Sequence, residues 1–208
     1  MEKDENFMMK SLLKLISRLF IVRKTASSGV HLTYDDGPHK TNTDLILDLL
    51  SDGGHKASFF LVGQEIEKFP EVAKRIQREG HSLGYHSYSH LHAKDVSFFA
   101  TWNDLKKATE IEQKYQLDFA KRYRPPFGAL TIPTLLAILL RGWKIHLWSL
   151  DSLDSYIDTQ GVLNQLSPDK ISAGEIILLH DDGSASPDTL RKLLYLYIST
   201  KISLQALN

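Results

Sequence analysis

The chain has 208 residues, 42% of them hydrophobic and 24% charged, which is enough apolar material for one packed domain and too much for a disordered chain. Lys plus Arg and Asp plus Glu both number 25, so the formal net charge is zero and the overall balance offers nothing to nucleic acid. There is no cysteine, which excludes disulfides, thiolate zinc sites and cysteine nucleophiles.

The chain opens Met1-Glu2-Lys3-Asp4-Glu5, acidic where a secretory leader is basic. Between Phe7 and Val22, the cations Lys10, Lys14 and Arg18 share one helical stripe, and Met9, Leu12, Leu13, Ile16, Leu19 and Phe20 cover much of the remainder. The longest apolar run here is Leu19-Phe20-Ile21-Val22, far below the roughly 20 residues that span a bilayer. Residues 1–28 are therefore expected to form an amphipathic helical segment, packed on the outside of the domain or resting through 7–22 on an anionic lipid surface. Without a clear signal peptide, a cytoplasmic or membrane-surface location is expected over free secretion.

Residues 29–208 alternate short apolar runs with helical patterns, as one domain. A strand at 30–34 precedes a helix carrying Leu45, Ile46, Leu49 and Leu50, which Gly53-Gly54 stops. A strand at 56–62 follows, then a helix opened by Pro70 and closed by Gly80, then a strand at 81–85. Leu105, Ala108, Ile111 and Tyr115 mark a longer helix. Further strands are expected at 119–124, 143–148, 175–179 and 202–206, with helices at 131–140, near 160–166 and around Leu190, Leu193, Leu194 and Tyr197. Such alternation argues for a parallel sheet covered by helices, and seven strands would close a (β/α) barrel somewhat smaller than the eight-stranded form. An open doubly wound sheet is the alternative, but no glycine-rich phosphate loop supports it.

The reactive side chains fall where these strands end. Asp35 and Asp36 follow the first strand, His86 and His90 the third, Asp151 and Asp154 the fifth, while Arg124 and His180 close the fourth and the sixth. In a parallel barrel those ends lie on one face, where active sites are assembled. His86 and His90 read either as two surface histidines or as two imidazoles facing one metal. Asp35-Asp36-Gly37-Pro38 reads as a turn or as the carboxylate completing that metal site, with coordination positions left for water and substrate. Arg124, before Pro125-Pro126, either begins a rigid loop or holds a carboxylate in a fixed orientation. His180 and Asp154 by themselves fit a strand-end cap and a loop residue.

Taken together, these residues resemble the polysaccharide deacetylases of carbohydrate esterase family four, built on the chitooligosaccharide deacetylase (NodB) homology domain. The likeness covers residues 30–207 through five ordered motifs: Thr33-Tyr34-Asp35-Asp36-Gly37-Pro38, His86-Ser87-Tyr88-Ser89-His90, Arg124-Pro125-Pro126-Phe127, Asp151-Ser152-Leu153-Asp154 and Leu178-Leu179-His180. The resemblance implies a distorted seven-stranded (β/α) barrel and metal-dependent removal of N-acetyl groups from N-acetylglucosamine-containing polysaccharide or oligosaccharide. By it, Asp36, His86 and His90 would bind a divalent metal, zinc above all. Asp35 would be the general base, oriented by Arg124, and His180 the general acid, partnered by Asp154. The backbone amide of Phe127 would hold the developing oxyanion, and Leu178 would line the acetyl pocket. The partner implied is an N-acetylated glycan. An O-acetyl esterase acting on xylan-type glycans and a catalytically silent carbohydrate-binding homologue are the alternatives.

The fourth motif departs from the family pattern, with Ser155-Tyr156 where a tryptophan usually follows, which concerns the wall of the acetyl pocket. Phe127 stands for the commoner tyrosine and Tyr34 for phenylalanine. His31, His39, His55, His81, His92 and His146 are expected to be structural or surface residues. Asp181 and Asp182 read as a turn or as rim contacts, with the rim completed by the loop after Asp154 and the segment 87–97.

Overall fold

The structure is a computed structural model that describes residues 20–182 and 187–208. Most of the amphipathic segment expected at 7–22 lies outside the described residues. Its last two positions do not continue a helix: Ile21–Val22 is a strand, β1. It is followed by β2 (His31–Asp35), helix α1 (Asn42–Asp52), β3 (Ser58–Leu61), α2 (Gly63–Lys68), α3 (Pro70–Arg78) and β4 (Ser82–Tyr85). The long α4 (Phe98–Tyr115) leads to β5 (Arg122–Tyr123), α5 (Ile132–Leu140), β6 (Lys144–His146) and β7 (Leu150–Asp151). Then come α6 (Thr159–Gln165), β8 (Ile176–His180) and α7 (Pro187–Ser199).

The eight strands form one sheet in the order β1-β6-β5-β4-β3-β2-β8-β7, and every pairing in it is parallel. Its centre is built from runs buried on both faces, His31–Asp35 and Ser58–Leu61, as a sheet sandwiched between helices and its own interior requires. Helix α1 turns Ile46, Leu47 and Leu50 onto the sheet and leaves Leu45 largely exposed. Ser97 caps α4 by accepting from the Ala100 N–H, and Thr131 and Thr134 form a capping box that starts α5. Tyr34 stacks on Phe59 with ring centroids 5.1 Å apart at the heart of the core.

Between β6, which lies next to the border strand β1, and β7 at the opposite border, the chain crosses from one side of the sheet to the other. On the way the Ser149 N–H donates to the Ile176 carbonyl at 2.9 Å, and the Ile176 N–H donates to Ser149 Oγ at 3.0 Å. This crossing forms a seam of single contacts between the two sides of the curled sheet, in place of a full ladder. It is what makes the (β/α) barrel a distorted one.

The barrel agrees with the expected class, while several borders differ. Residues 202–206 are not a strand of the sheet: Leu204 makes one isolated bridge to Val30. The strand expected at 119–124 shrinks to β5 because Ala120 and Lys121 adopt positive φ, 48° and 56°, which breaks extended pairing. β7 occupies part of a stretch expected to be loop, and α2 a stretch given no helix. The carboxyl ends of β2, β4, β5 and β8 share one end of the barrel, and the site is assembled there.

Candidate active site

β2 delivers Asp35 into the interior and Asp36 immediately beyond it. Asp36 takes φ of 76°, in the left-handed region that Asp tolerates better than most residues, so the two carboxylates diverge before the cis Gly37–Pro38 bond. Asp35 is buried, and its Oδ1 accepts from Arg124 Nη1 at 2.7 Å. Arg124 is 0% exposed. It also donates to Thr33 Oγ1 at 2.8 Å, to the His146 carbonyl at 3.0 Å and to the Leu147 carbonyl at 3.3 Å, with its guanidinium 4.0 Å over the Phe60 ring. Burial pulls the Arg124 pKa down, and the Asp35 charge and hydrogen bond oppose that shift.

The histidine loop is shaped by backbone and by anchors. His86 follows β4, and its Nδ1–H donates to the Arg124 carbonyl at 2.7 Å, which fixes the tautomer and leaves Nε2 as an acceptor. Ser87 and His90 both adopt positive φ, 64° and 54°, and the His90 N–H donates to Ser87 Oγ at 3.0 Å. The turn returns His90 toward His86, with ring centroids 5.0 Å apart. Between them Tyr88 is pinned on several sides. Its N–H donates to Asp104 Oδ1 at 2.8 Å, its hydroxyl donates to Glu67 Oε2 at 2.9 Å, and the Lys107 ammonium sits 3.8 Å over its ring.

His90 Nε2 lies 3.1 Å and His86 Nε2 3.4 Å from Asp36 Oδ1. The three donor atoms lie within 4.8 Å of one another, and Asp36 Oδ1 is buried without a well-formed hydrogen bond. Burial alone would raise the Asp36 pKa, but the two imidazoles hold it well below the usual carboxylate range. Two nitrogens and one oxygen converging on a point, with a buried oxygen left wanting a partner, fit a divalent ion such as zinc.

Across the opening, β8 ends at His180. Its Nδ1 lies 2.7 Å from Asp154 Oδ1 and 3.2 Å from Ser155 Oγ, and its backbone N–H donates to Asp154 Oδ2 at 2.8 Å. Burial disfavours the imidazolium, but the hydrogen bond and charge of Asp154, helped by Asp35 and Asp36, push the His180 pKa up to about 9. A cleft of about 310 Å³ lies between the two groups. Asp35, Asp36, His86, His90, Phe127, Asp154, Leu178 and His180 all line it, with Arg124 directly beneath Asp35.

Residues 23–142 match the family described as polysaccharide deacetylase, more than half of the chain. The chain belongs to that family. Among its relatives, a peptidoglycan-N-acetylglucosamine deacetylase of Bacillus cereus is 34% identical over 170 residues, covering 79% of this chain and 62% of its own length. The chain thus spans less than two thirds of that relative. A chitooligosaccharide deacetylase of Azorhizobium caulinodans is 28% identical over 156 residues, covering 74% of each. The crystal structure of the Bc1960 peptidoglycan N-acetylglucosamine deacetylase superposes with a TM-score of 0.82 at 29% identity, over 92% of this chain and 93% of that one.

Within this deacetylase barrel the place of the expected tryptophan is taken by Ser155, against His180, while Tyr156 is 86% exposed at the cleft wall. Phe127 adopts φ of 58° and is 62% exposed, its ring 4.7 Å from His90 and stacked 5.3 Å from His92. His92 lies outside the cluster of metal-binding geometry. His31 bonds Thr25 and Gln205, and His81 Nδ1 accepts from the Ala57 N–H.

Asp181 is no rim contact. It is wholly buried, accepting from Thr43 Oγ1 at 2.6 Å, with its other oxygen unpartnered and its carboxylate against Gly37. Burial first, then the charges of Asp36, Asp182 and Asp35, push it up to about 7. Asp104 is a supporting residue that sequence reasoning missed, and Asp181 one that it placed at the rim or in a turn. No sequence signal pointed to Asp104.

Proposed function

We propose that this chain is a metal-dependent hydrolase that removes acetyl groups from N-acetylglucosamine units of peptidoglycan or chitooligosaccharide type, releasing acetate and an amine. The observation that carries this reading is one cleft with two opposed halves. On one side, Asp35 is clamped by Arg124 beside the Asp36, His86 and His90 donors. On the other, His180 is gripped twice by Asp154. The names of the relatives supply the glycan class.

Asp36, His86 and His90 would hold the ion. When bound, zinc supplies Lewis acidity toward a carbonyl and acidifies water near neutral pH. The protein's own groups do the rest. Arg124 occupies Asp35 Oδ1, so Oδ2, which points toward His86 Nε2 at 3.7 Å, is the oxygen free to take a proton from the attacking water. As the new C–O bond forms, the Phe127 backbone N–H would stabilise the carbonyl oxygen, and Leu178 would pack on the acetyl methyl. His180, protonated below about pH 9, gives a proton to the nitrogen as the C–N bond breaks, and the amine leaves neutral.

Acetate release from soluble peptidoglycan fragments and chitooligosaccharides tests this. Zinc-loaded protein should release acetate, a chelator should abolish it, and Asp35→Asn should lower the rate by about 10²–10⁴-fold. Zinc-loaded, folded protein that hydrolyses only acetylated xylan would replace the reading with an ester hydrolase. Release from none of these would leave a binding protein.

A further inference from the structure

The nine residues of α5, Ile132–Leu140, are apolar except for Thr134, and that threonine is buried in the capping box. A helix apolar all round belongs in a core or against another apolar phase. Yet α5 lies on the outer ring of the barrel with Ile132, Leu136 and Leu140 exposed by 70%, 47% and 68%. Their spacing of four residues makes one stripe about 12 Å long.

The end of that stripe is cationic. Lys121 Nζ donates to the Arg141 carbonyl at 3.3 Å, and the backbone N–H of the exposed Lys144 donates to the Lys121 carbonyl at 2.8 Å, so three basic residues meet where α5 stops. The Arg141 guanidinium lies 4.9 Å over the Trp102 ring, which stacks on Phe98, and Phe98 meets the ring of Phe99, itself 74% exposed. Apolar stripe, aromatic rings and basic rim are linked in this way across α4, α5 and the starts of β5 and β6.

We propose that this surface docks on an anionic lipid bilayer. Exposed aliphatic and aromatic side chains bordered by Lys and Arg are the chemistry of interfacial membrane contact. A second copy fits worse. A two-fold contact through the stripe would set its basic end beside the partner's apolar end or beside the partner's own basic end, and neither supplies a counter-charge. No helix among the described residues is long and apolar enough to cross a bilayer. The catalytic cleft opens at the strand ends, not on α4 or α5, and stays free when this face is covered.

Flotation of the full chain with vesicles tests the proposal, using phosphatidylglycerol mixed with phosphatidylcholine, and pure phosphatidylcholine as the comparison. The chain should float with the anionic vesicles, be released by raised salt, and float at least about 10-fold less with the neutral ones. The double variants Leu136→Ser/Leu140→Ser and Lys121→Glu/Lys144→Glu should each lose that binding while releasing acetate from soluble substrate as the parent does. The lysine pair, on the surface, keeps the test decisive if the leucine pair unfolds. Failure to float with anionic vesicles overturns the proposal, as does parent-like flotation of the lysine pair. So does a parent dimer that Leu140→Ser dissociates in the absence of vesicle binding. None of these outcomes bears on the deacetylase reading, because flotation needs no substrate and acetate release needs no vesicle.

Discussion

Arg124 and Asp35 form a buried charge pair in which each partner depends on the other. The guanidinium meets four acceptors, of which only Asp35 is charged. Replacing Arg124 with Met would keep the packing on Phe60 but leave the Asp35 carboxyl group in the interior without its partner. The expected cost is about 3–5 kcal/mol, read as a lower urea midpoint, together with loss of acetate release. Asp181 carries the opposite lesson. Its pKa is raised from the ordinary carboxylate range to about 7, so the stability linked to its proton is complete at acid pH and lost as the pH climbs through 7. Asp181→Asn removes that penalty. The variant should be more stable than the parent at pH 8, by up to about 4 kcal/mol, and should lose the advantage by pH 4, as urea titrations at the two values would show.

At the level of elements, β4 sets the depth at which the arginine sits. A Cβ on Gly84 would come 2.3 Å from Phe60 Cδ1, and Phe60 is the ring under the Arg124 guanidinium. Gly84→Ala should therefore cost about 1–3 kcal/mol and lower kcat more than it raises KM, since it displaces Arg124 without touching the substrate cleft. The elements that could be read from sequence were the ones with a repeating pattern. α1, α3, α5 and the strands β2, β3 and β8 carry periodicity or continuous apolar runs, with Gly and Pro at their borders. β1 and β7 are two residues each, too short to show any period, and their pairing is decided by distant β6 and β8. In the site, residues at strand ends were legible because they sit within recognisable motifs. Asp104 and the burial of Asp181 were not, because only folding brings α4 under the histidine loop and α1 against β8.

For the whole molecule, the donor cluster ties folding to ligand supply. An ion bound by Asp36, His86 and His90 in the native state alone adds stability with its free concentration, about 2.7 kcal/mol at one hundred times Kd. Zinc should raise the melting temperature of the parent in a concentration-dependent way and leave that of Asp36→Ala unchanged, as a thermal shift series would record. The seam between β6 and β7 sets a different kind of bound. His146 and Leu147, at its start, provide two of the carbonyls that hold Arg124, and Ser152, just beyond it, gives its N–H to Leu178 shortly before the chain reaches Asp154. Both the proton acceptor and the proton donor are thus moored to one short strip of backbone. Loosening the cylinder along that line should therefore release both halves of the machinery together.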